Sequence, residues 1–553
     1  MVNAITRLTR HTHRKFAAIW HLLLVAMLLA PLSANSTEQT AFKSGLDQLL
    51  SSDFNDISQG IRLISQSGDE RAFDVLTMLL EGQLYVYRSE NQLVTIVGEN
   101  GSKPIIRPLF TDANAETETV SKRRVKRVGI NNQLRGQLKT ELALLNLSSP
   151  LAANRAAAVK QTLGDIDEAL FSRLSEQLAT EQDRTVRELI DVALAIYRLQ
   201  APGSAIDQQL AALSTLGASY QPAARIAVTQ FLATEPEAAL ARSAESALTK
   251  LDGRVKVAEL AETLFFGLSL GSVLVLAAIG LAITFGVMGV INMAHGELMM
   301  LGAYTTYVIQ TLMPDHLAAS IFISIPAAFV VSGLVGIGIE RGVIRFLYGR
   351  PLETLLATFG ISLILQQAVR SVFSPLNRSV ATPEFMTGVV ELNPLLSFTL
   401  NRLYIIVFCL IVFALLFFIL RYTRLGIEVR AVSQNRAMAR AMGVRSEWVD
   451  AMTFGLGSGI AGMAGVALSQ LTNVGPNLGQ AYIIDSFMVV VFGGVGNLWG
   501  TLVAGMSLGI ANKLMEPWAG AVLAKILVLV FIILFIQKKP RGLFPQKGRS
   551  AEG

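Results

Sequence analysis

The chain has 553 residues, of which 52% are hydrophobic and only 16% charged, with a formal net charge of +6. Soluble chains carry about 25% charged residues, so a large part of this one must lie out of water. The small net charge leaves no basic stripe for nucleic acid, and a single cysteine, Cys409, excludes internal disulfides and cysteine metal clusters.

At the N-terminus, Arg7, Arg10, Arg14 and Lys15 precede an apolar run over residues 16–32, followed by Ser33-Ala34-Asn35-Ser36. That order predicts a signal peptide over residues 1–36, cut after Ala34 or Ser36. An uncleaved anchor helix is the competing reading. Either one puts residue 37 onward outside the cytoplasm.

Residues 37–255 are rich in Glu, Asp, Arg, Lys and Gln and read as a soluble, mainly helical periplasmic domain. Val186, Leu189, Ile190, Ala193, Ile196 and Tyr197 fall at helical spacing, with charged residues between them. Similar pieces occur at 156–178, 205–216, 224–232 and 237–251. Short turns join them, such as Ala201-Pro202-Gly203, which suggests stacked helical hairpins resembling HEAT repeats. Residues 84–87 and 93–97 flank Ser89-Glu90-Asn91 and predict a β-hairpin. The basic run from Lys122 to Arg127 reads as a solvated loop, with an anionic partner or the membrane surface as the alternative. This domain has no histidine or cysteine, and no reaction is assigned to it.

The composition changes between Lys250 and Glu262, and residues 256–547 read as a membrane domain before a tail at 548–553. Apolar stretches near the length that spans a bilayer, about 20 residues, lie at 263–291, 298–313, 319–340, 353–372, 402–420, 450–470 and 520–537. A further stretch, 484–512, is interrupted by Gly493-Gly494-Val495-Gly496-Asn497 and is long enough for two spans or a re-entrant pair. The expected fold is therefore all-α, a polytopic bundle of about nine spans with interrupted helices. Arginines crowd loops 341–350 and 421–449, and five basic residues follow Ile536. The positive-inside rule makes these cytoplasmic. Nine spans with residues 37–255 outside and the C-terminus inside satisfy that rule at every basic loop.

Residues 267–304 contain Val290-Ile291-Asn292-Met293-Ala294-His295-Gly296-Glu297. Further on come Ala357-Thr358-Phe359-Gly360-Ile361-Ser362 and the segment Arg430, Asn435, Ala437, Ala439, Met442, Gly443. Phe492-Gly493-Gly494-Val495-Gly496-Asn497 and Pro540-Arg541-Gly542-Leu543-Phe544 complete the series. In this order the blocks resemble the branched-chain amino acid type of ABC transporter permease. The long exported domain is similar to that of the urea-transporter branch. The resemblance implies a permease subunit in the bacterial inner membrane that moves a small polar solute inward, most simply urea, with a branched-chain amino acid as the alternative. It also implies cytoplasmic ATPase subunits, a second homologous permease subunit and a periplasmic solute-binding protein as partners. The chain has no G-x-x-x-x-G-K-[ST] phosphate loop, so ATP hydrolysis is expected on the partners and this chain is not expected to be an enzyme.

Two sets of residues then carry function. Arg430, Asn435, Ala437, Ala439, Met442 and Gly443 are expected to form a coupling loop that docks on the ATPase. Asn292, His295, Glu297, Gln366, Gln367, Asp485, Gly493, Gly494 and Asn497 are the candidates for the translocation path, because polar groups at membrane depth face a cavity or a partner. The first three are expected where the first span meets the inner surface. The five histidines are scattered, so no metal site is expected, and no cofactor. A passive channel and a membrane sensor remain as rival functions.

Overall fold

The computed structural model describes residues 34–100, 103–110 and 117–544. The charged and apolar residues of the expected signal peptide and the tail at 548–553 lie outside the described residues. The chain divides into two compact units, Met1–Asp252 and Gly253–Gly553.

The first unit opens with α1 (Ala34–Leu49), α2 (Phe54–Gln66) and α3 (Ala72–Glu81). The expected hairpin is present as β1 (Leu84–Tyr87) and β2 (Gln92–Asn100), but it belongs to a larger sheet. With β3 (Lys103–Pro108), β4 (Glu118–Thr119) and β5 (Val125–Arg127) it forms an antiparallel sheet of order β4-β3-β2-β1-β5. The basic run is thus not a loop. Lys122–Arg124 make a 3-10 turn, and the next three residues are an edge strand whose long charged side chains discourage further pairing.

Seven helices follow: α4 (Asn132–Leu147), α5 (Ala152–Thr162), α6 (Glu168–Thr180), α7 (Arg184–Gln200), α8 (Ile206–Ala218), α9 (Pro222–Leu232) and the start of α10 (Ala238–Met288). The piece expected as continuous over 156–178 is two helices. Asp167 caps α6 by accepting from Leu170 N, and Gly164 and Asp165 disfavour helix between the two. α7 is the axis of this array. Its Val186, Leu189, Ile190, Ala193 and Ile196 are buried in one apolar cluster with neighbours from α5, α6, α8 and α9.

The second unit starts within α10. Six of its helices are long and apolar enough to cross a membrane: α10, α12 (Leu317–Gly342), α13 (Pro351–Phe373), α14 (Leu400–Tyr422), α17 (Ser446–Ser469) and α19 (Leu498–Lys538). Two more, α11 (His295–Leu312) and the shorter apolar α18 (Leu478–Gly493), pack among them. α19 bends at Gly520, where φ is 75°. α19 is thus two helices meeting at a kink, and among the described residues the nine expected stretches correspond to nine helical pieces. The interrupted 484–512 stretch is two helices, α18 and the first part of α19. A short hairpin, β6 (Val389–Asn393) and β7 (Leu396–Thr399), joins α13 to α14. α15 (Arg424–Gln434) and α16 (Arg436–Ala441) join α14 to α17.

α17 runs through the centre and is buried on nearly every side. Its glycines allow this. A Cβ on Gly462 or Gly302 would press into the facing backbone, so α11, α12 and α17 can approach only because both positions lack one. On the outside, Phe322, Leu334, Ile364, Phe418 and Val522 are exposed. So much outward apolar surface requires a lipid surround. The fold is an all-α membrane bundle, and the chain is a multi-pass membrane protein.

Candidate functional site

The segment between α10 and α11 is not a surface loop. α10 ends at Met288, and Gly289 takes φ 68° and reverses the chain. The chain then runs back along α10 before α11 begins at His295. His295 Nε2 lies 2.8 Å from the carbonyl of Ala277. Ala277 is eleven residues before the end of α10, a rise of about 16 Å. Asn292, His295 and Glu297, expected at the inner surface, are therefore well inside the bundle, and each is at most 1% exposed.

Their neighbours differ. Asn292 Oδ1 accepts from Ala294 N at 3.0 Å and shapes the turn. His295 faces α10. Glu297, two residues on and thus on the opposite side of α11, faces α13. Its Oε1 accepts from Gln366 Nε2 at 2.8 Å and from Ser362 Oγ at 3.1 Å. Its Oε2 has no partner in this structure. One α13 turn earlier, Thr358 Oγ1 accepts from Met293 N at 3.1 Å. Thr358, Ser362 and Gln366 are spaced by four, so they line one face of α13. Two turns along α11 from Glu297, Tyr304 lies against Phe373 with ring centroids 4.7 Å apart, its buried hydroxyl also unpartnered. The seam between α11 and α13 thus holds two orphaned buried oxygens beside amide and hydroxyl groups. Both chemistries suit a small solute with N–H and C=O groups. Glu297 and Gln366 were legible in the sequence. Ser362, Thr358 and Tyr304 were missed, although their spacing of four on α13 and seven on α11 was available.

The other path candidates sit elsewhere. Gln367 points out of the bundle on α13, next to exposed Leu363 and Ile364. Asp485 pairs with Lys525 Nζ at 3.1 Å. Gly493, Gly494 and Asn497 form a closed turn rather than open backbone. Asn497 Oδ1 caps α19 by accepting from Gly500 N, and its Nδ2 donates to Phe544 O at 3.2 Å. The amides of Leu543 and Phe544 donate to the carbonyls of Phe492 and Gly493. The two sequence blocks are distant in the chain and meet here.

The loop between α14 and α17 presents a second surface. Asn435 caps α16 through Met438 N at 2.9 Å. Gly443, with φ 90°, ends it by donating to Arg440 O. Ala439 is buried beneath, whereas Ala437 and Gly443 are exposed, Met438 is 61% and Met442 79% exposed. Arg436 pairs with Asp450 at the start of α17 and lies 3.8 Å from the centroid of the Tyr348 ring. Arg430 donates to Leu420 O at the end of α14. The loop is thus tied to two membrane helices and offers two outward methionines, of which the sequence reading singled out only Met442.

The family described as the permease component of branched-chain amino acid transport systems matches residues 263–536. The chain is 30% identical over 286 residues to the high-affinity branched-chain amino acid transport system permease protein BraD of Pseudomonas aeruginosa, covering 50% of this chain and 93% of that one. It is 31% identical over 294 residues to the corresponding permease LivH of Salmonella typhimurium, covering 51% and 94%. A shorter match, 30% over 110 residues, reaches 34% of the ribose import permease protein RbsC of Escherichia coli. No solved structure matches. The half of the chain that folds as the membrane bundle carries the whole likeness, and the chain belongs to the branched-chain amino acid transport permease family of ABC transporters.

Proposed function

We propose that this chain is the pore-forming permease subunit of an ATP-driven importer in the bacterial inner membrane. One observation carries the reading: the Glu297 carboxylate is buried at depth in an apolar bundle, aimed at the α11–α13 seam, with one oxygen left unpartnered. A buried ionisable group with an open valence is costly unless something passes or binds there. Glu297, Gln366, Ser362 and Tyr304 then recognise the solute, with Asn292 and His295 shaping the re-entrant turn beside them. Residues 37–255 lie in the periplasm and the C-terminus in the cytoplasm.

The chain works with cytoplasmic ATPase subunits, which dock on Ala437, Met438, Met442 and Gly443 while Arg430, Asn435 and Ala439 hold the loop in place. A periplasmic solute-binding protein delivers the solute. The exposed Gln367 on the apolar outer face of α13 supports a second permease subunit there, since an amide facing lipid would be unsatisfied.

Branched-chain amino acids are the first reading for the solute, because relatives covering nearly their whole length are named for them. Urea is the second. It rests on the sequence resemblance of the long segment before residue 263 to the exported domain of the urea branch, a segment that lies outside the matched region. Reconstitution with the neighbouring ATPase and solute-binding subunits decides. ATP-dependent uptake of labelled leucine or of labelled urea identifies the solute. Uptake of equal rate without ATP overturns the importer in favour of a passive channel.

A further inference from the structure

A cavity of about 350 Å³ opens where the ends of α10 and α14 meet α15 and the turn before α19. Its apolar wall includes Ile283, Val287 and Leu420, and its rim carries Arg421 and Arg430. Both arginines are exposed, and among the described residues no carboxylate pairs with either. Arg421 is held over the Phe417 ring, its guanidinium carbon 5.5 Å from the centroid. Trp499 stands edge-on to the same ring at 5.8 Å and is 53% exposed. The positions are the last turn of one membrane helix and the first turn of another, so the cavity lies at the boundary between lipid and water.

We propose that this cleft binds one anionic phospholipid, with its phosphate on Arg421 and Arg430 and an acyl chain along the apolar wall. Stacking on Phe417 orients the Arg421 guanidinium and leaves its N–H edge free for phosphate, which a guanidinium grips through two parallel hydrogen bonds. A free phosphate would leave the apolar wall wet. A neutral lipid would leave two cations unmatched at the headgroup level, where basic residues attract anionic lipids. An indole at this depth is the usual belt residue of a membrane protein. The cavity is of a size that holds a small ligand or headgroup, about 300–1,000 Å³. The lipid would bridge the end of α14 to α15, the helix leading into the coupling loop. The proposal does not depend on which solute is carried.

The test uses the full chain in detergent. Native mass spectrometry is run with phosphatidylglycerol and with phosphatidylcholine of the same acyl chains. The chain is expected to retain phosphatidylglycerol selectively. Arg421→Gln is expected to weaken that retention about five-fold, and Arg421→Lys to keep most of it. The chain has four tryptophans. Phosphatidylglycerol brominated on its tail is expected to quench emission that disappears in Trp499→Phe. Equal retention of the two lipids, indifference to Arg421→Gln, or displacement by matched inorganic phosphate would each overturn the proposal. So would loss of the lipid from the complete complex with ATPase, which would assign the cleft to a protein interface.

Discussion

Glu297 has two hydrogen bonds on one oxygen and none on the other, and the asymmetry separates a structural role from a transport role. Glu297→Gln keeps the shape and can keep the contacts to Ser362 and Gln366. If the carboxylate only holds α11 to α13, uptake should survive. If it meets the solute, uptake should fall about ten- to a hundred-fold, the worth of a hydrogen bond to a charged group, while co-purification with the ATPase stays intact. A second residue-scale prediction concerns Glu181 in the first unit. Arg155 grips it with Nη2 and Nε at 2.7 and 2.8 Å, and the amides of Gln182 and Asp183 donate to it at 3.0 Å. The Arg155 hydrogen bonds hold its carboxyl down at about 2, against the opposing effect of burial. A carboxyl depressed on folding stabilises above its unfolded value, 4.5, and loses that stabilisation as pH falls toward about 2. The difference amounts to about 3 kcal/mol. Hydrogen exchange of the α7 amides is expected to lose protection in acid in the wild type. Glu181→Gln should be weaker at neutral pH and flat across that window.

At the scale of elements, the glycine contacts make a sharper claim than composition does. Gly302 on α11 meets the backbone of Gly462 on α17, so Gly302→Ala forces two central helices apart. The expected cost is about 1–3 kcal/mol of overpacking, read as a lower melting temperature in detergent. Gly360 on α13 meets nothing within 4 Å, and Gly360→Ala should leave the melting temperature unchanged. The α15–α16 loop yields a different result. Met438 and Met442 are both mostly exposed, so with Met438→Glu combined with Met442→Glu the fold should survive while ATPase co-purification is lost. Much of this architecture was legible. Among the described residues, hydropathy located each long apolar helix of the second unit, because lipid permits few alternatives to such a helix. The re-entrant segment was not legible. Residues 289–294 look like any interrupted apolar run, and only packing against Ala277 reveals that α11 starts inside the bundle. The five-stranded sheet was also hidden, since β4 and β5 are two and three residues long and carry charged side chains that read as loop. Asn497 and Phe544 are 47 residues apart, and nothing local tells that the Gly493–Asn497 turn is closed by the C-terminal segment rather than open to a path.

For the whole molecule, the sidedness argument reduces to the positions of basic residues. Arg341 in the last turn of α12 is followed by Arg345 and Arg350, and six arginines run from Arg421 in the last turn of α14 to Arg445 just before α17, whereas the connections at 314–318 and 471–485 carry no basic residue. A chain inserted the other way would have to translocate all of these short basic loops, which the membrane disfavours. The proposed topology predicts a compartment difference, with Arg123 beside β5 facing the periplasm and Met442 the cytoplasm. The sequence makes this easy to measure, because the sole cysteine, Cys409, is fully buried and can be replaced. In a Cys409→Ala background, Arg123→Cys should react in intact cells with a thiol reagent that cannot cross the inner membrane. Met442→Cys should react only after the membrane is opened, and should be shielded when the ATPase is bound. Labelling of both positions in intact cells, or of neither, would place the arginine loop and the first unit on one side. The ATPase would then have no surface to push against, whatever the chemistry of the seam at Glu297.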